Sequence, residues 1–180
     1  MDPKYQKQLI FISVCIALNI GLGKVSNLLS LPFTMDTIGT ILSAALLPWP
    51  LVITVGALSS IIASMVIHPA FLFYIGTQIV IGLVASILVK SQLFKTIPKS
   101  IISGLIIGIA SAVVSAPVTA IVFGGVSVPG LTALNVLFLA SGKSLWTSVI
   151  SGSLIVESID KVAASIVSCL AIKRLSGNNQ

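Results

Sequence analysis

Charged side chains are scarce in this chain: Asp, Glu, Lys and Arg make up 8% of its 180 residues, where an ordinary soluble domain carries about 25%. A folded surface that poor in charge does not stay dispersed in water, which excludes a soluble enzyme. Only four acids, one histidine and two cysteines are present. No HExxH sequence, no Ser/His/Asp set and no Cys pair at metal-ligand spacing occurs, so no catalytic residue and no metal site is expected. Cys15 and Cys169 fall inside apolar runs and read as buried reduced thiols. His68, without Cys or carboxylate neighbours at ligand spacing, reads as a surface residue. Gly142-Lys143-Ser144 imitates the end of a phosphate loop, but Leu137 stands where the first glycine belongs and no strand precedes it. The chain therefore has no ATPase activity of its own. Neither a selectivity-filter sequence nor an inverted repeat of the secondary-transporter kind is found.

What fills the sequence instead is apolar: 56% of the residues, with a mean hydropathy of +1.15. At about 20 residues per transmembrane helix, 180 residues allow about six spans and no sizeable extramembrane domain, so residues 1–180 form a single integral membrane domain. Apolar runs and their breakers place the spans at 8–23, 36–47, 51–67, 70–89, 100–122 and 144–172. Lys4 and Lys7 before an apolar run imitate a signal peptide, but no small-x-small cleavage site closes the run, and a retained first helix is expected. With six spans, Lys4, Lys7, Lys90, Lys95, Lys99, Lys173 and Arg174 share one side, while Lys24 and Lys143 fall on the other. Seven charges against two put both termini in the cytoplasm. The net charge of +6 follows this topology and does not indicate nucleic acid. The expected fold is an all-α membrane protein, a six-transmembrane-helix bundle with both termini cytoplasmic. Trp49 and Trp146 suit interface anchors on its two sides.

Two segments break the simple pattern. Residues 36–47 number twelve, about 18 Å of helix against a hydrocarbon core of about 30 Å. The stretch before them, Leu28 to Met35, is too apolar for an aqueous loop, and Pro32 opposes a regular helix. Non-helical backbone at membrane depth is tolerated only under cover of protein or a water-filled cavity, so this segment is expected to fold over the bundle as a lid. The long connection Phe123 to Lys143, with Gly124-Gly125, Pro129-Gly130 and an apolar stretch, is expected to lie on or dip into the same outer face.

The polar residues gather at that end. Counted back from Lys173, Glu157 lies about 6 Å below the outer edge of the last span, and Asp160 and Lys161 about 11–12 Å below it. Charges at that depth cost at least ~2.5 kcal/mol each unless they face the bundle interior or water. Ser153, Glu157, Asp160, Lys161 and Ala164 make one inward stripe. Two readings stand: a Glu157–Lys161 pair that fixes helix packing, or a ligand pocket. With Asp36 there are three acids for one base, and an acceptor-rich site suits a ligand with N–H or O–H groups or partial positive charge. Asp36 also sits where an N-cap of the second helix belongs, a role that does not exclude ligand contact. Tyr74 and Gln78, one turn apart on the fourth span, and Asn135 in the long connection complete the candidate substrate-binding set of Asp36, Tyr74, Gln78, Asn135, Glu157, Asp160 and Lys161; Ser115 and Thr119 flank Pro117 nearby. On the first span Ser13, Ala17 and Gly21 recur every four residues, and Gly104 and Gly108 form a GxxxG on the fifth. Small residues let helices approach closely in lipid, either inside the bundle or against another protein.

Three stretches carry a family likeness. Leu31-Pro32-Phe33-Thr34-Met35-Asp36-Thr37-Ile38-Gly39-Thr40-Ile41 resembles the P-x-x-x-D-(T/S)-I-G-T-I start of the second helix in one group of S components, the substrate-binding subunits of energy-coupling factor (ECF) vitamin transporters. Ser115-Ala116-Pro117 continuing to Phe123-Gly124-Gly125, and Ile159-Asp160-Lys161 ahead of a last helix ending in Lys173-Arg174, are similar to the same group. The resemblance implies a six-helix bundle that binds a vitamin near the outer face, under the loop joining helices one and two. It implies as partners an ECF T transmembrane subunit and two ECF ATPase subunits that use the ATP, with no cofactor in this chain itself. The family's small-xxx-small docking motif falls on Ser13, Ala17 and Gly21, where Ser and Gly replace the usual alanines. Members of the group take hydroxymethylpyrimidine or pyridoxine, or cobalamin; the acceptor-rich pocket inclines the expectation to a small hydroxylated heterocycle. A self-sufficient ion-coupled carrier using Glu157, Asp160 and Lys161 is the rival from another class, and a membrane scaffold whose charges merely pair is a third reading.

Overall fold

The computed structural model describes residues 2–127 and 129–177. Among them are seven α-helices and no strand: α1 (Pro3–Leu28), α2 (Ile38–Ser43), α3 (Trp49–Val66), α4 (Ile75–Lys90), α5 (Ile97–Ile121), α6 (Pro129–Ala140) and α7 (Leu145–Gly177), with a 3₁₀ turn at Pro69–Tyr74 leading into α4. Four stretches are long and apolar enough to cross a membrane: Pro3–Leu28, Trp49–Val66, Pro69–Lys90 and Ile97–Ile121. Such a chain has the make-up of a multi-pass membrane protein. With 33 residues, α7 reaches about 50 Å, but Glu157, Asp160 and Lys161 interrupt its apolar character. Helix starts follow local chemistry: Asp2 caps α1 by accepting from the Lys4 N–H, and Pro3, Pro50 and Pro98 occupy first-turn positions where a missing N–H costs nothing.

The expected helix over 36–47 is not a spanning helix. Only six residues, about 9 Å, are α-helical there. The N–H groups of Ala44, Ala45 and Leu46 reach back three residues, to the Ile41, Leu42 and Ser43 carbonyls, so the helix tightens into turns before Pro48. A second departure is α6, twelve residues of helix where a connection was expected; at about 18 Å it is too short to cross.

Contacts fix the helix directions. Asn19 meets Ser59 and Lys24 meets the Val66 carbonyl, so α1 and α3 run parallel. Gly56 lies beside Gln78 and Gly82 beside Val52, making α3 and α4 antiparallel. Tyr74 meets Thr119 and Gly76 meets Val114, making α4 and α5 antiparallel. Gly104 lies beside Val162 and Gly108 beside Ser158, making α5 and α7 antiparallel. Residues 29–48 therefore return the chain between two parallel helices, and the start of α1 and the end of α7 share one end of the bundle. The lid segment lies at the opposite end. There the two irregular segments meet, because Gly130 packs so closely on Pro32 that an added Cβ would overlap it.

The most extensive helix pairing is α5 on α7. It depends on the GxxxG: a Cβ at Gly104 would fall 2.5 Å from Val162 Cα, and one at Gly108 2.6 Å from Ser158 Cα. By contrast Ser13, Ala17 and Gly21 face outward, and a Cβ at Gly21 meets nothing within 4 Å. Of the two readings of that stripe, packing inside the bundle is ruled out. Cys15 and Cys169 are free and fully buried. Trp49 and Trp146 stand half exposed in the first turns of α3 and α7, at opposite ends of the bundle.

Gly108→Ala should lower stability by about 1–3 kcal/mol, because neither backbone can move aside without opening the pairing. Gly21→Ala, in open space, should leave stability unchanged or raise it by about 0.5–1 kcal/mol. Thermal melting of the two variants in detergent micelles checks the contrast, and equal melting temperatures would refute the close approach.

Candidate ligand-binding site

A cavity of about 300 Å³ opens beneath the lid segment, at the small end of the range for ligand pockets. Its walls come from several parts of the chain, with Asn27 of α1 and Ala70, Phe71 and Tyr74 of the 3₁₀ turn among them. One face of α4 runs down it from the mouth: Tyr74, then Thr77 and Gln78, then Ile81. Ser115 and Thr119 come from α5, with Phe123 just beyond; Val156, Glu157, Asp160 and Lys161 come from α7; Thr34, Asp36 and Thr37 come from the lid segment; Leu131 comes from α6.

The acids and the base meet here. Lys161 Nζ hydrogen-bonds Asp160 Oδ2 and lies 3.3 Å from Glu157 Oε2. Glu157 is tied to α5, accepting from Ser111 Oγ at 2.7 Å and Ser115 Oγ at 3.2 Å. Asp160 accepts the Met35 N–H at 3.0 Å, and Thr34 Oγ1 lies 3.3 Å from its other oxygen. The same Thr34 hydroxyl donates to Asp36 Oδ1 at 2.7 Å, and Gln78 Nε2 donates to Asp36 Oδ2 at 3.2 Å. Lys161 and Asp160 are 3% exposed, whereas Glu157 keeps 19%. The packing pair and the pocket thus coexist: Glu157 pairs with Lys161, and the cluster still lines a cavity.

Met35 has φ +52°, a left-handed conformation that side-chain-bearing residues adopt at a cost, and its N–H is the one bound by Asp160. Aromatic rings cluster beside the cavity. Tyr74 stacks on Phe123 with centroids 5.9 Å apart, Phe73 meets Phe123 edge-on at 5.5 Å, and the Tyr74 hydroxyl is 2.9 Å from Thr119 Oγ1. Left-handed Gly124 and Gly125 turn the chain after α5, and the Gly125 N–H returns to the Thr119 carbonyl.

Six of the seven expected substrate residues, Asp36, Tyr74, Gln78, Glu157, Asp160 and Lys161, line this one cavity. Asn135 does not. It is buried on the inner face of α6, donates to the Gly125 carbonyl at 2.7 Å and abuts Gly152, because the expected connection is a helix packed on α7. Asp36 is not an N-cap either: Thr37 holds that position, and the Asp36 carboxylate is occupied by Thr34 and Gln78. His68 is exposed as expected, with Nδ1 accepting from the Ala70 N–H, yet it borders the cavity mouth. Sequence reading passed over Thr77, one turn from Tyr74, and Asn19, whose amide binds Thr40 and Ser59 while its oxygen accepts the Gly39 N–H. The helical spacing pointed to Thr77; no local signal pointed to Asn19. Comparison with known protein families, with curated proteins and with solved structures finds no match to the chain.

Lys161→Met removes the cation and leaves its carboxylate partners buried without it. The expected loss is about 3–5 kcal/mol. Glu157→Gln should cost much less, since the amide oxygen still accepts from Ser111 and Ser115 and Lys161 keeps Asp160. Melting of both variants in the same detergent tests this order, and a Lys161→Met protein as stable as the parent would refute the cluster.

Proposed function

We propose that this chain is the substrate-binding S component of an ATP-driven ECF transporter in a bacterial plasma membrane, with six membrane-crossing segments and both termini cytoplasmic. In this reading the broken segment around α2 supplies one crossing, α7 another, and α6 stays at the outer face. The cavity receives a vitamin or vitamin precursor of the hydroxymethylpyrimidine or pyridoxine type. The observation that carries the reading is the cavity itself. An apolar helical bundle encloses one acid-rich polar site at the end away from its termini, under a lid pinned to the site's own Asp160.

Size and chemistry support the ligand class. About 300 Å³ suits a single substituted ring and is too small to enclose a corrinoid, which disfavours cobalamin. Three carboxyl groups around one ammonium favour a ligand with ring N–H, amino or protonated nitrogen groups, and Tyr74 and Phe123 offer it aromatic faces. The outward stripe of Ser13, Ala17 and Gly21 supports docking to the T subunit, which with two ATPases supplies the driving force. The buried Lys161 cluster on α7 also favours a second reading, a self-sufficient ion-coupled carrier.

Mass spectrometry of the small molecule that co-purifies with the protein, followed by calorimetric titration with hydroxymethylpyrimidine and pyridoxine, tests the first reading. Tight one-to-one binding without transport in liposomes supports the S component; uptake driven by an ion gradient without ATPases overturns it in favour of the carrier. Glu157→Gln should weaken binding about tenfold or more while the fold survives, the effect of losing a charge-assisted hydrogen bond. Unchanged affinity would reduce Glu157 to a packing residue. Ala17→Trp should abolish ATP-driven uptake in the assembled transporter and leave binding to the isolated subunit intact; loss of both would refute docking through this stripe.

A further inference from the structure

Behind the cavity wall, Asn19 of α1 and Thr40 of α2 are fully buried and line no part of the cavity, yet they are bonded in sequence to Gln78, which does line it. The direction of each bond is fixed by groups whose role cannot change. The Gly39 backbone N–H can only donate, and it donates to Asn19 Oδ1 at 2.6 Å. The Asn19 amide nitrogen therefore points the other way, to Thr40 Oγ1 at 2.9 Å and Ser59 Oγ at 3.0 Å. Ser59 agrees, since its one proton is given to the Val55 carbonyl and its oxygen can only receive. Thr40 receives from Asn19 and gives its own proton to Gln78 Oε1 at 3.4 Å. With that oxygen held, Gln78 turns its nitrogen to Asp36, 3.2 Å from Oδ2 and 3.4 Å from the backbone carbonyl, a group that only accepts.

This run of bonds determines what the cavity offers a ligand. A reversed Gln78 would set its oxygen against Asp36, and the carboxyl group would have to donate to it. As built, Asp36 faces donors on both oxygens, Thr34 on Oδ1 and Gln78 on Oδ2. Each oxygen has capacity for a second donor, and Asp36 is part-exposed where it lines the cavity. Among the described residues it is also the one acid of the cluster without a salt bridge, because Lys161 pairs with Asp160 and Glu157. We infer that Asn19 and Thr40 are positioning residues: acting through Gln78, they hold Asp36 as the acceptor for an N–H of the substrate. The cavity then selects a ring bearing an amino group over the same ring without one, which favours an aminopyrimidine over pyridoxine, a ring with no amino group. The inference rests on the reading of the cavity as a site for a small heterocycle.

Calorimetric titration of the full chain in detergent micelles tests it with two probes, hydroxymethylpyrimidine and the analogue with hydrogen in place of its ring amino group. The parent protein should prefer the amino probe about tenfold or more. Thr40→Val, which keeps the shape and removes the hydroxyl, should cut that preference about threefold or more through weaker binding of the amino probe alone. Thr40→Ser should retain it. Asn19→Asp keeps an acceptor for the Gly39 N–H but puts a second acceptor where the nitrogen was, which draws the Thr40 proton away from Gln78; it should cause the same loss. Thr40→Ala deletes the same hydroxyl and decides the matter where the other two variants do not fold. A purely structural role for Thr40 and Asn19 would weaken both probes together. That outcome, an undiminished preference in the variants, or equal affinity of the parent for both probes overturns the inference and leaves the vitamin reading standing. Failure of the parent to bind either probe overturns the pyrimidine reading, and the inference falls with it.

Discussion

An ammonium at 3% exposure inside an apolar bundle requires negative partners, and the surroundings of Lys161 are organised by that requirement. One carboxylate would neutralise it. Three converge, so the surplus must be held by neutral donors, and those donors come from other elements. Ser111 and Ser115 of α5 hold Glu157, Gln78 of α4 and Thr34 of the lid segment hold Asp36, and the Met35 N–H holds Asp160. Each bond that satisfies an acid also fastens a separate part of the chain to α7. The cluster is therefore both the polar lining of the cavity and the reason an irregular, proline-containing segment keeps its position over it.

That arrangement needs α5 within serine reach of Glu157, and glycine makes it possible. The absent side chains at Gly104 and Gly108 let α5 lie against the Lys161 and Glu157 carbonyls, so the GxxxG stands level with the charges it serves. A bulkier pair would push Ser111 and Ser115 away and leave Glu157 with Lys161 alone. On the lid side the same economy holds in reverse. Left-handed Met35 is a costly conformation, and the charge-assisted bond from its N–H to Asp160 offsets the cost. A lid held this way is ordered by the site, not by its own secondary structure.

Much of this was legible in the residues. Charge scarcity and apolar runs located the long helices, because hydrocarbon solvation acts on composition and length, both one-dimensional. That Glu157, Asp160 and Lys161 share one inward stripe followed from helical spacing alone. What failed was local structure governed by distant partners. Asp36 had every local reason to cap α2, but Gln78, forty-two positions away, holds its carboxylate, and Asn19, twenty positions before Gly39, takes the N–H that a cap would have used. Asn135 read as a substrate residue in the long outer connection; that α6 forms there depends on the face α7 offers it. The outward direction of Ser13, Ala17 and Gly21 was equally undecidable from spacing, which specifies one face of a helix but not which way that face points.

Small residues mean different things on the two faces of α1. Inward, Gly23 lets Asp36 approach, its Cβ only 3.2 Å from where a side chain would begin, and Asn19 anchors the start of α2. Outward, Ser13, Ala17 and Gly21 share the exposed surface with Ile10 and Val14, which are 65% and 57% exposed. One helix of 26 residues thus touches the carboxylate cluster on one side and presents its least bulky surface on the other.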